Sequence, residues 1–213
     1  MRTMLGDEIE RKSFEIIDKR IPAGIYSQDE HIIVRKIIHA TADFSLRKNI
    51  YITKNAISVG LKKLSENVDI YTDVVMVASG ISPKYLEDYS GNIICTIRDK
   101  ETEEIAKRLN ITRASASVMV ALEKSKNIGI FAIGNAPTAL FKVLELVEKG
   151  DVSRDVLVIG ACVGMVGATE AKNQLIKSGL PCIVLKGKRG GSPIASTIIN
   201  GLFSILRTQE GIV

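Results

Sequence analysis

Apolar residues along this chain alternate between two spacings. In DEHIIVRKIIHA (29–40) they recur at Ile33, Val34, Ile37 and Ile38, the three-and-four rhythm of a helix with one buried face. Ser27 and Glu30 just ahead form an S-x-x-E capping box, so the spacing predicts a helix over about 28–40. A charged helix over 7–19 precedes it, separated by the breaker IPAG (21–24). Beyond it, short β-branched runs take turns with helical ones. Strands are predicted at 49–53, 73–79, 92–97, 127–134, 155–162 and 181–187. Helices are predicted at 54–67, 100–110, 113–126, 137–150, 167–179 and 192–206, the fourth of these opening on Pro137 and stopping at Gly150.

This alternation implies an α/β fold of three layers, a mainly parallel sheet flanked by helices. The 213 residues fit one domain spanning 1–213. Ligands of such sheets bind beyond the carboxyl ends of the strands. Attention therefore falls on SGISP (79–83), GNAPT (134–138), GACVGMVG (160–167) and GKRGGS (187–192).

Composition narrows the class. The chain is 46% hydrophobic and 25% charged, as expected of a globular core, and only 5% aromatic with no Trp, so small branched side chains must fill it. A net charge of +5 favours anionic partners. No long basic run and no aromatic RNA-binding motif is present, so nucleic acid is not expected. Cys95, Cys162 and Cys182 are far apart and only two His occur, which argues against a metal site and for free thiols in a reducing cytoplasm. The N-terminal MRTMLGDEIERK lacks an apolar signal core, and the uncharged stretch 156–168 is too short and Gly-rich to span a membrane. The expectation is a cytoplasmic protein that does not enter a membrane.

The glycine motifs are not nucleotide loops. Gly160, Gly164 and Gly167 are spaced GxxxGxxG, not GxGxxG, and the acidic residue a ribose would need about 20 positions on is missing. In GKRGGS the P-loop order is absent, although Gly191 and Ser192 open a helix whose bare amides suit a phosphate or carboxylate. Asn135 and Thr138 sit at another helix start, and Arg113 can clamp a carboxylate with two parallel bonds. His39 is the strongest single candidate for proton transfer near neutral pH, with Arg35 one turn before it and Asp43 one turn after. A lone histidine on a helix is more often structural than catalytic.

Seven stretches together resemble the precorrin-8X methylmutases, also called cobalt-precorrin-8 methylmutases, of cobalamin biosynthesis. They are IERKSFEIID (9–18), VRKIIHATAD (34–43), DVVMVASGIS (73–82), TRASAS (112–117), IGNAPTALF (133–141), VIGACVGMVGATEAK (158–172) and KRGGSPIAS (188–196). They keep the family's order and cover nearly the whole chain. Cys162 and Met165 stand where the family tends to have Pro and Phe.

The resemblance implies an isomerase that moves a methyl group from C-11 to C-12 of (cobalt-)precorrin-8 by an acid-assisted sigmatropic shift, without a cofactor. It implies His39 as the proton donor and acceptor, supported by Asp43. Ser13, Arg35, Gly80, Thr112, Arg113, Asn135, Thr138, Gly191 and Ser192 would hold the polycarboxylate tetrapyrrole. It also implies a homodimer with the substrate at or near the interface, for which 113–122 and 192–206 are candidate contact surfaces by composition. A corrinoid carrier without catalysis is the alternative in a different class.

Overall fold

A computed structural model describes residues 5–211, so the first four residues of the N-terminal segment read above lie outside it. Ten α-helices and six strands are present among the described residues. The first two helices, α1 (Gly6–Asp18) and α2 (Gln28–Thr41), are followed by a 3-10 turn (Phe44–Asn49) and strand β1 (Ile50–Ile52). Next come α3 (Ala56–Ser65), β2 (Asp69–Thr72), the short helices α4 (Val75–Ser79) and α5 (Pro83–Leu86), and β3 (Ile93–Ile94). Helices α6 (Lys100–Leu109) and α7 (Arg113–Lys124) lead to β4 (Ile128–Ile133) and α8 (Pro137–Lys149). The chain closes with β5 (Leu157–Gly160), α9 (Ala168–Lys177), β6 (Cys182–Leu185) and α10 (Ser192–Gln209).

The sheet order is β1-β6-β5-β4-β2-β3, parallel throughout except for β1, which runs against β6 at one edge. Side chains of β4 divide by parity. Ile130 and Ala132 join one core with α2, α3 and α10, while Phe131 and Ile133 join another with α7, α8 and α9. That two-sided burial is why the strands read as near-continuous Ile, Val and Ala runs. A third cluster, Ile17, Ile21, Val34 and Ile38, docks α1 on the outside of α2. The predicted core face of α2 is the buried face, and its capping box is formed in both directions.

Two expectations shift. The run 73–79 is not a strand: β2 is the polar-looking DIYT ahead of it, and the β-branched run coils into α4. Strand propensity lost to tertiary partners. Asp69 is held by Ser125 and Asn92, and Tyr71 by Ser117 at 2.8 Å, so the carboxylate and phenol of DIYT find partners inside the fold, while the buried Thr72 hydroxyl has none among the described residues. The apolar residues of 113–122 and 192–206 that composition marked as contact surfaces are mostly buried within the chain itself, in the α7 and α10 contacts to the cores. Among the described residues no helix is long and apolar enough to cross a membrane.

Candidate active site

Strand order reverses between β2 and β4, since the chain goes from β2 outward to β3 and then returns to the other side. A crevice opens at the carboxyl ends of strands at such a point. Asp73, the first residue past β2, is fully buried there. One carboxylate oxygen accepts from the Gly134 amide at 2.9 Å; the other accepts from Asn135 at 2.8 Å and Ala136 at 2.7 Å. Burial pushes this carboxyl above the usual range, and the three amide bonds pull the other way. The turn after β4 is thereby fixed, with the Asn135 side chain exposed and α8 starting on Pro137.

Around this point the predicted residues gather in pairs. The Thr138 hydroxyl accepts from Thr112 at 2.8 Å, joining the starts of α8 and α7. Gly134 lies so close to α10 that a Cβ there would stand 2.9 Å from the Ser192 Cα. Gly80 is pressed against Ser196 one turn further along α10. Gly191 adopts φ 127°, open to glycine, and donates to the Ala161 carbonyl at 2.8 Å.

Helix α2 runs antiparallel to α10, with Ile33 against Gly201 and Thr41 near Ile194, so its last turn reaches the same end of the sheet. His39 stands there, exposed. Its Nδ1 is 2.8 Å from the Ser13 hydroxyl of α1, and the Phe14 ring meets the imidazole edge-on at 5.2 Å between centroids. Among the described residues Nε2 has no partner. Because a hydroxyl can donate or accept, Ser13 can support either imidazole tautomer. Nε2 is then free to act as acid or base.

The neighbours of His39 in the stripe turn elsewhere. Arg35 bonds Asp18 at 3.1 Å and stacks its guanidinium 4.4 Å over Phe14. Asp18 takes a second bond from His31 at 2.7 Å, so it ties α1 to α2 and sets Ser13 in place. Asp43 caps the 3-10 turn through the Ser45 amide and pairs with Arg189 at 2.5 Å. The bonds to Ser45, then Arg189, hold its carboxyl below the usual range. Thr41, Asp43, Val163, Arg189 and Ile194 line a cavity of about 250 Å³ beside His39's helix end. Arg113 is exposed and borders a different depression with Glu103, Lys107 and Ile111.

The family model described as Precorrin-8X methylmutase matches residues 8–205. The chain belongs to the precorrin-8X methylmutase family. A cobalt-precorrin-8 methylmutase of Priestia megaterium is 38% identical over 98% of this chain and 93% of its own. A precorrin-8X methylmutase of Sinorhizobium sp is 31% identical over 92% of this chain and 93% of its own. The solved structure titled precorrin-8x methyl mutase from Thermus thermophilus matches with a TM-score of 0.86 at 33% identity, covering 98% of both chains. As a methylmutase, the protein is an enzyme of the isomerase class.

The candidate site contains groups that sequence reasoning passed over. Asp73 was hidden inside a run read as a strand; an acid at a strand's carboxyl end was its only signal. Asp18 and His31 gave none, because their pairing depends on how α1 docks. Val163, Met165 and Val166 stand exposed on the loop after β5, an apolar lip on an otherwise polar rim.

Proposed function

We propose that this protein moves the methyl group from C-11 to C-12 of precorrin-8 or its cobalt form, an acid-assisted sigmatropic step in cobalamin biosynthesis. The observation that carries the reading is the Ser13–His39 pair at the open end of the sheet, in a chain of this family. His39 gives a proton through Nε2 to the conjugated ring system. The methyl group migrates within the molecule, and the same nitrogen takes a proton back. No atom is gained or lost overall, so the step calls for no oxidant and no cofactor.

The rest of the rim suits a large, flat polyanion. The starts of α8 and α10 present the Thr138 and Ser192 amides and the positive ends of helix dipoles to carboxylates. Asn135, Thr138, Thr112, Gly191 and Ser192 lie along that edge, with Gly80 behind Ser196. Arg113 and Arg35 supply charge, Arg35 by exchanging part of its Asp18 contact. Asp43 supports His39 indirectly, by fixing the chain just beyond the helix end through Arg189. The exposed Val163, Met165 and Val166 support closure of the site by the ring's apolar face and by a second copy, in a cytoplasmic homodimer built from one domain per chain.

The test is incubation of the purified protein with metal-free and with cobalt-bearing precorrin-8, followed by absorption spectroscopy. Conversion of either substrate to the corrin spectrum supports the reading. Binding without spectral change in both identifies a carrier instead.

A further inference from the structure

Lys172 of α9 is fully buried, and the proposed chemistry does not use it. Its surroundings are unusual for an ammonium. Among the described residues it has no carboxylate partner; it donates to two backbone carbonyls, Cys162 at 2.9 Å and Arg189 at 2.8 Å. Burying a charge is costly unless hydrogen bonds recover the lost hydration, so the cation is there for those oxygens.

The two carbonyls belong to the two loops that form the rim after β5 and β6. These loops are zipped at both ends by backbone bonds. Gly191 N–H donates to Ala161 at 2.8 Å, and Gly164 N–H donates to Lys188 at 3.1 Å. Between those bonds the Cys162 and Arg189 carbonyls both face Lys172, acceptor beside acceptor, with its ammonium as their shared donor. Gly190 lets the loops approach this closely, since a Cβ there would run into the Ala161 and Cys162 carbonyl oxygens. From the same residue, the Arg189 side chain reaches Asp43 and Ser45 at the end of the helix that carries His39.

We propose that Lys172 is a positioning residue for the methylmutase reaction: it staples the 161–164 and 188–191 loops and so sets Arg189 and the Gly191–Ser192 helix start against the substrate. The role rests on the tetrapyrrole reading of the site. Lys172 touches neither substrate nor His39 and acts only through the loops. Cys162 is the one titratable neighbour that weighs on it, and burial lowers the lysine's pKa.

The test pairs hydrogen exchange with kinetics in Lys172→Met, an unbranched apolar replacement, and in Lys172→Gln, which keeps an amide donor. Removing the shared donor should speed amide exchange in segments covering 161–167 and 187–192 by about tenfold or more in Lys172→Met, less in Lys172→Gln, and leave β4 at the wild-type rate. With precorrin-8 as substrate, KM should rise about tenfold while kcat stays within about threefold, as expected when binding geometry and not chemistry is lost. Unchanged exchange in both loops overturns the proposal. So does equal acceleration throughout the molecule, failure of both variants to fold, or loss of kcat with KM intact. The exchange result needs no substrate. A wild-type protein that does not turn over precorrin-8 therefore sinks the functional reading without touching the staple.

Discussion

Replacing Asp73 should cost more stability than any other single change at the rim. Asp73→Ala deletes the acceptor of three amides at the point where the strand order reverses. The Gly134 amide is buried and left without a partner, a loss of about 1–3 kcal/mol, while Asn135 and Ala136 are open enough to turn to water and lose less. The total comes to roughly 3–5 kcal/mol, a large share of the 5–15 kcal/mol typical of a folded domain. Asp73→Asn separates the oxygens. With its carbonyl placed where two amides converge, its NH2 must face the Gly134 N–H, donor against donor, at a cost of about 1–3 kcal/mol. Urea unfolding followed by circular dichroism, with linear extrapolation, measures both. A loss under about 1 kcal/mol in Asp73→Ala would show that the carboxylate does not hold the turn.

Other outcomes follow from the same geometry. Ser13→Ala leaves Nδ1 of His39 without its partner and should lower kcat roughly tenfold with little change in KM, the size of one lost hydrogen bond; an unchanged kcat would remove Ser13 from the proton path. Arg113→Ala should weaken tetrapyrrole binding by about 1–3 kcal/mol in a titration, and equal affinity would place Arg113 outside the site. Burial pushes the Cys162 and Cys182 thiols up to about 11. At pH 8 only about one in a thousand is thiolate, so a disulfide reagent should modify the partly exposed Cys95 alone in the folded protein. Fast reaction of two or three thiols at that pH would contradict the burial.

The elements that announced themselves in the sequence were those whose own side chains decide their structure. Helix α2 has a complete capping box and one apolar face, and β4, β5 and β6 are buried on both sides, so their patterns needed no knowledge of neighbours. Strand β2 was missed because it is partly polar and its Asp69 and Tyr71 are held only by groups far along the chain, Ser117, Ser125 and Asn92. The site divides in the same way. His39 stood out by residue type, and helix starts at Pro137 and Ser192 by turn chemistry. Spacing on α2 suggested a ladder of Arg35, His39 and Asp43. Helical proximity was outweighed by charges that arrive from elsewhere, Asp18 for Arg35 and Arg189 for Asp43. Asp73 and Lys172 act on backbone groups of distant loops, a role that leaves no local pattern.

The proposed methyl shift depends most on His39 as the group that moves the proton. His39→Ala removes the imidazole from an exposed position at a helix end, where the fold has little to lose. The decisive measurement is the absorption spectrum of that variant mixed with precorrin-8 in the form that the wild type converts. The variant is expected to bind the tetrapyrrole with near wild-type affinity and to leave its spectrum unconverted. Conversion at the wild-type rate would contradict it.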